Sequence, residues 1–185
     1  LERDTANVVT KSGGKVIGQA RHPLATSDFS SFLLQAQSSR AKVIGLANAG
    51  TDTVNSSMQA SEFGITQGGQ KLAGLLIFIN DVHALGLKVA QGLVLTESFY
   101  WDQNDETRAF SKRFAARFGG KMPTMAQAGV YAGVLHYLKA VEVLKDPKDG
   151  AKVVAKMKEM PTDDPLFGKG VIRIDGRKVH PMYLF

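Results

Sequence analysis

The chain has 185 residues, 44% hydrophobic and 22% charged, a composition that supports a sizeable core in one large domain or two small lobes. Its formal net charge of +6 comes from scattered Lys and Arg, with no basic stripe interleaved with aromatics of the kind a nucleic-acid groove needs. No cysteine is present, which excludes disulfides, thiolate metal sites and a Cys nucleophile. The longest apolar runs, such as Leu72 to Ile79, fall well short of the roughly 20 residues of a membrane-spanning helix.

In chain order, Leu1 to Lys11 predicts a helix with Leu1, Thr5, Val8 and Val9 on one face, ended by Ser12-Gly13-Gly14. Leu1-Glu2-Arg3-Asp4 looks like the middle of a helix, neither an initiator Met nor a signal peptide, and an N-terminal part is expected to be missing. Lys15 to Ala20 alternates and predicts a strand; Arg21 to Ser27 predicts a loop. A second helix starts at Asp28, capped by Asp28 or Ser27, with Phe29, Phe32, Leu33 and Ala36 as its buried stripe.

The stretch KVIGLANAGTD follows, and the chain is organised around it. Lys42 to Leu46 predicts a buried strand, Ala47 to Gly50 a tight turn, and Thr51-Asp52 the capped start of a helix running to Phe63. Lys71 to Phe78 predicts another strand with Ile79-Asn80-Asp81 as its exit turn, Asp81 to Leu87 a short helix, and Val89 to Thr96 a strand broken at Gly92. Repeated helix, strand and turn units predict an α/β fold with a parallel sheet and helices on both faces.

After the aromatic crossing ESFYWDQ the pattern changes. Asn104-Asp105 caps a helix to Phe118, Pro123-Thr124 opens a longer one through Leu144 with Val130, Val134, Leu138 and Val141 facing inward, and Gly150 to Met160 supplies a third. Val171 to Ile174 and Met182 to Phe185 predict strands joined by Asp175-Gly176 as a type I′ hairpin turn.

No catalytic arrangement emerges. His22, His83, His136 and His180 lack metal-ligand spacing, and there is no GxSxG elbow, no GxxxxGK[ST] phosphate loop and no GxGxxG. Asp163-Asp164 reads as a solvated turn. Neither a metal nor any other cofactor is expected, and no enzyme activity. What remains is binding chemistry at strand ends: Asn48, Asp52, Asn80 and Asp81 can hold an organic ligand by amide and carboxylate groups, or can simply cap helices. Phe99, Tyr100 and Trp101 can line a cleft, pack in a core or mark a hinge.

The run DFSSFLLQAQSSRAKVIGLANAGTDTVNSSMQASEFG, with LLIFIND and PTMAQAGVYAGV, resembles the substrate-binding proteins of branched-chain amino acid type ABC transporters, which have the type I periplasmic binding fold. The likeness extends over essentially the whole chain but corresponds to the second half of a typical member, with the N-terminal lobe largely missing. It implies residues 1–98 as most of the second ligand-binding lobe, 99–165 as a hinge crossing with helices returning to the first lobe, and 166–185 as terminal strands. It also implies a periplasmic location, a membrane permease as partner and the missing N-terminal half as companion, with no nucleic acid. Carried over, Asn48, Ala49, Gly50 and Asp52 match one ligand-contacting turn, Asn80 and Asp81 the next, and Met125 a cleft-lining position. Amino-acid binders of this type commonly carry an aromatic residue and a Glu where Ala49 and Asp81 stand, so the resemblance points to an organic acid, aromatic in the manner of benzoate or hydroxycinnamate. A branched-chain amino acid is the alternative ligand, and the sensing domain of a transcription regulator or receptor the alternative role.

Overall fold

A computed structural model describes residues 1–185 and divides them into two compact units, one made of residues 1–96 and 184–185, the other of 97–183. In the first unit, α1 (Glu2–Lys11) and α2 (Ser30–Ser38) precede β1 (Val43–Leu46), α3 (Thr51–Glu62), β2 (Lys71–Gly74), α4 (Ile79–Leu85), α5 (Leu87–Ala90) and β3 (Val94–Glu97). β1 pairs parallel with β2 and β2 with β3, the register running Val43 opposite Lys71 and Ala73 opposite Val94. Parallel neighbours need a crossover, and α3 and the α4–α5 pair provide the two. Phe29 and Leu33 of the α2 region pack with Leu46, Ala60, Ile65 and Leu72 as the core, so α2, α3 and the two strands share one apolar interior. Burial of each large side chain contributes about 1.5–3 kcal/mol, enough to hold strands only four residues long.

Three expectations fail here. Residues Lys15 to Ala20 form no strand: Val16 and Ile17 are exposed and no ladder partner lies alongside, so alternation has nothing to bury. β2 stops at Gly74, where a Cβ would stand 2.8 Å from Ile77 Cγ2; the chain bends back over this glycine and buries Ile77, ending the strand four residues before Phe78. Ile79-Asn80-Asp81 is the first turn of α4 and not a loop.

The second unit contains α6 (Asp105–Arg117), α7 (Met125–Leu144), α8 (Gly150–Glu159) and a three-stranded antiparallel sheet, β4 (Thr162–Asp164), β5 (Gly168–Ile172) and β6 (Lys178–Val179), in that order. Asn104 caps α6 through Thr107 N, and Thr124 caps α7 through Ala126 N. The core joins Phe99, Phe110, Ala128, Ala132, Leu166 and Phe167, with the Phe99 and Phe110 rings edge-to-face at 6.1 Å.

On α7 the buried face is Ala128, Ala132, His136 and Ala140, whereas Val130, Val134 and Leu138 are 68%, 53% and 54% exposed; only Val141 of the expected inner stripe is half-buried. Both stripes have helical spacing, and small side chains win the inner position because α8 and β4 pack closely against them. His136 Nε2 donates to Met157 O at 2.8 Å, a carbonyl whose ordinary helical donor would be residue 161, a proline without an N–H. A turn forms at Asp175-Gly176, but with Gly176 alone at positive φ it is not the expected type I′, and it leads into β6, not into residues 182–185. Those return to the first sheet as β7 (Tyr183–Leu184), next to β3, where Leu95 and Phe185 exchange both backbone hydrogen bonds in antiparallel fashion. Asp164 is likewise not a solvated turn residue, since it is buried in β4.

Candidate ligand-binding turn

The turn after β1 is built by Asn48. Its Oδ1 accepts from Thr53 Oγ1 at 3.0 Å, and its Nδ2, with two hydrogens, shares them among three acceptors, Ser56 Oγ at 3.2 Å, Asp52 O at 3.3 Å and, longest, His22 Nε2 at 3.4 Å. Both ends of the amide are therefore engaged within the turn, tying it to the first two turns of α3. Gly50 is the N-cap, at φ 58° and ψ −132°, a backbone conformation that suits glycine. No side chain caps α3: neither Thr51 nor Asp52 performs the capping expected of it. Asp52 instead accepts from Ala25 N at 3.2 Å, pinning the long 12–29 segment onto the helix, and its Oδ1 is buried without a hydrogen-bond partner. The uncapped N–H groups of the first turn of α3, beside exposed Ala49, Gly50 and Thr51, form a positive, donor-rich patch at the carboxyl edge of the parallel sheet.

Asn80 and Asp81 sit in the adjacent helix start, α4, which packs against α3. Asp81 is buried; its Oδ2 accepts from Phe78 N at 2.9 Å and its Oδ1 from Asn80 Nδ2 at 3.0 Å. This is the capping role, with the third helical residue reaching back to the N-cap amide. Asn80 itself is exposed. The first unit thus brings together Asn48, Ala49, Gly50 and Asp52 on one turn, with Asn80 and Asp81 on the neighbouring helix. Met125 belongs to the second unit, where it opens α7, accepts from Ser98 Oγ at 3.4 Å through its sulfur and packs against the Phe99 cluster.

Sequence reasoning missed His22. Its ring stands edge-on to Phe29 at 4.7 Å and to Phe32 at 5.9 Å, with Nδ1 2.7 Å from Pro23 O and Nε2 facing Asn48. Nothing periodic marks it, because it lies in an irregular segment 26 positions from its partner. No group of three or more His, Asp or Glu side chains converges as a metal site would require, and no helix is long and apolar enough to cross a membrane.

Comparison with known proteins gives one consistent result. The sequence pattern of the family described as periplasmic binding protein matches residues 1–185. A curated relative, the Leu/Ile/Val-binding protein homolog 6 of Brucella melitensis biotype 1, is 30% identical over 177 residues, which is 92% of this chain but 44% of the relative. A crystal structure of a periplasmic binding protein from Burkholderia mallei is 55% identical with a TM-score of 0.91, covering 100% of this chain and 48% of that one. A branched chain amino acid ABC transporter periplasmic ligand-binding protein from Burkholderia xenovorans is 44% identical with a TM-score of 0.84, covering 98% and 49%. The chain spans about half the length of the proteins it matches.

Proposed function

Because the chain belongs to the periplasmic binding protein family, we propose that it is part of a solute-binding protein of an ABC importer that captures a small organic acid, aromatic in the manner of benzoate or hydroxycinnamate, and delivers it to a membrane permease. The observation that carries the ligand class is the asymmetry of the turn chemistry. The uncapped start of α3 offers backbone donors suited to a carboxylate. Neither neighbouring carboxylate is presented to an ammonium: both Asp81 oxygens already accept hydrogen bonds, and Asp52 is buried with one oxygen on Ala25 N. An α-amino acid needs both kinds of partner, an organic acid only the first. Ala49 and Gly50 add no bulk at the turn, which suits a flat ring.

In this reading Asn48, Asp52 and Asp81 shape the two turns, Ala49, Gly50 and Asn80 meet the ligand, and Met125 supplies a further apolar contact. The protein acts outside the cytoplasm, in the periplasm, together with a companion half equivalent to the rest of its relatives. Capture is a ligand-shifted conformational equilibrium between two lobes of the complete protein, with no covalent step and no cofactor. A branched-chain amino acid is the second reading, favoured by the name of the Brucella relative.

The deciding experiment is a thermal-shift and calorimetric screen of the full-length protein against benzoate, 4-hydroxybenzoate, 4-hydroxycinnamate, leucine and valine. A ligand at about 100-fold excess over its dissociation constant adds about 2.7 kcal/mol to the native state. A response to aromatic acids alone supports the proposal; a response to leucine or valine alone replaces the ligand class, and no response to either class removes the importer reading for these solutes.

A further inference from the structure

We propose that His22 is a positioning residue for the turn after β1, holding the Asn48 amide while neutral and releasing it when protonated, so that ligand binding weakens in acid. This rests on the reading of that turn as ligand-contacting. The hydrogen-bond geometry determines where the imidazole proton sits. Pro23 O can only accept, so Nδ1, 2.7 Å away, carries the hydrogen. The Asn48 nitrogen is identified by its neighbours, since Oδ1 receives the Thr53 hydroxyl and Nδ2 faces the Asp52 carbonyl. Nδ2 has only hydrogens to offer, so His22 Nε2 at 3.4 Å presents its lone pair.

A second proton on His22 places N–H against N–H. Asn48 cannot answer by turning over, because its oxygen would then oppose the carbonyl of Asp52. The ring leans edge-on against Phe29 and Phe32, which touch each other and so lie on one side of the half-buried imidazole, and a protonated ring turns its Nε2 away from the amide. The His22 contact is then lost, and the Asn48 turn is left held to the first two turns of α3 by Thr53, Asp52 and Ser56 alone. The charged groups on the elements around His22 are Asp52 of α3, Asp28 at the start of α2, and the neighbouring Arg21–Glu2 pair that reaches α1.

The test uses the full-length protein, long-range proton–nitrogen NMR of the imidazoles and the Asn48 side-chain amide between about pH 8 and about pH 5. Calorimetry with 4-hydroxybenzoate and with leucine as probes covers the same range. The expected result is the Nδ1–H form at the upper pH, an Asn48 amide signal that moves in step with the His22 ring, and a dissociation constant for the bound probe that rises about tenfold toward the lower pH. His22→Gln and His22→Phe, the second keeping the ring packing, are each expected to flatten both profiles. An Nε2–H form at the upper pH, an Asn48 signal indifferent to His22, or acid weakening that persists in both variants would overturn the proposal. Should neither probe bind, the ligand assignment fails, and the NMR titration alone still decides whether His22 governs the turn.

Discussion

Lys178 Nζ lies 2.6 Å from Asp164 Oδ2 and 4.5 Å from the centre of the Phe167 ring, so one ammonium joins β6 to β4 and roofs the turn between β4 and β5. Asp164 Oδ1 meanwhile accepts from Leu166 N and Phe167 N, and the carboxylate side chain is 5% exposed. Burial alone pushes this carboxyl up, but the Lys178 ammonium and the two amides outweigh it and hold it below the usual carboxylate range.

A depressed native value means stability that is present above the unfolded carboxyl's pKa of about 3.9 and is lost as pH falls through the native one. Denaturation of the second unit is therefore expected to show a stability gap between wild type and Asp164→Asn at neutral pH that closes below about pH 4. Asp164→Ala, which strands Lys178 and frees two turn amides, is expected to lose about 3 kcal/mol at neutral pH. A gap that stays constant down to acid pH would show that the carboxylate charge contributes nothing.

Gly50→Ala tests the turn after β1. A Cβ there meets nothing within 4 Å, so any loss comes from the backbone, held at φ 58°. Chemical denaturation is expected to report about 2 kcal/mol of destabilisation. An unchanged midpoint would mean that the turn relaxes without strain, and its role in presenting the α3 amides would fall with it.

His136 supplies the donor that Pro161 cannot give to Met157 O. His136→Ala leaves that buried-side carbonyl unpaired and is expected to lose about 1–3 kcal/mol, more than an exposed histidine such as His83 would. Amide hydrogen exchange should show the last turn of α8 opening first; uniform destabilisation of the whole unit would point to the lost ring packing instead.

The two faces of α7 make a paired prediction. Ala140→Leu forces volume into a fully buried position and is expected to destabilise by about 2 kcal/mol. Val134→Lys, on the exposed stripe, is expected to change the stability of this 185-residue chain by less than about 0.5 kcal/mol. The reverse order of the two effects would restore the branched stripe as the inward face.

The order of strand, turn and helix from Lys42 to Phe63 was legible from branched residues, then small ones, then an amphipathic run, although of the strand expected to be buried only Leu46 is, and no side chain caps the helix. The inward face of α7 was not, since Val130 and Ala128 begin stripes of equal period and only the neighbouring helix selects the smaller one. The place of the Asp175-Gly176 turn was legible from two residues, whereas the strand that turn serves is two residues long and carries Lys178, which no alternation marks. Asp164 and His22 were missed for a shared reason: their partners lie 14 and 26 positions away, and contacts at that range leave no local pattern.

Gly74 and Ile77 also constrain how this protein can evolve. With Ile77 Cγ2 2.8 Å from where a Cβ would stand, any side chain at 74 requires a smaller residue at 77, and a larger residue at 77 finds no room while 74 is already glycine at its limit. Space must open at 77 before a side chain can enter at 74, so the order of the two changes is fixed. Such epistasis constrains the length of β2 and the depth at which α4 begins, whereas Ala49 and Thr51 are exposed and open to single-step change. Descendants of this chain can retune the turn one substitution at a time while the strand end beside it stays fixed.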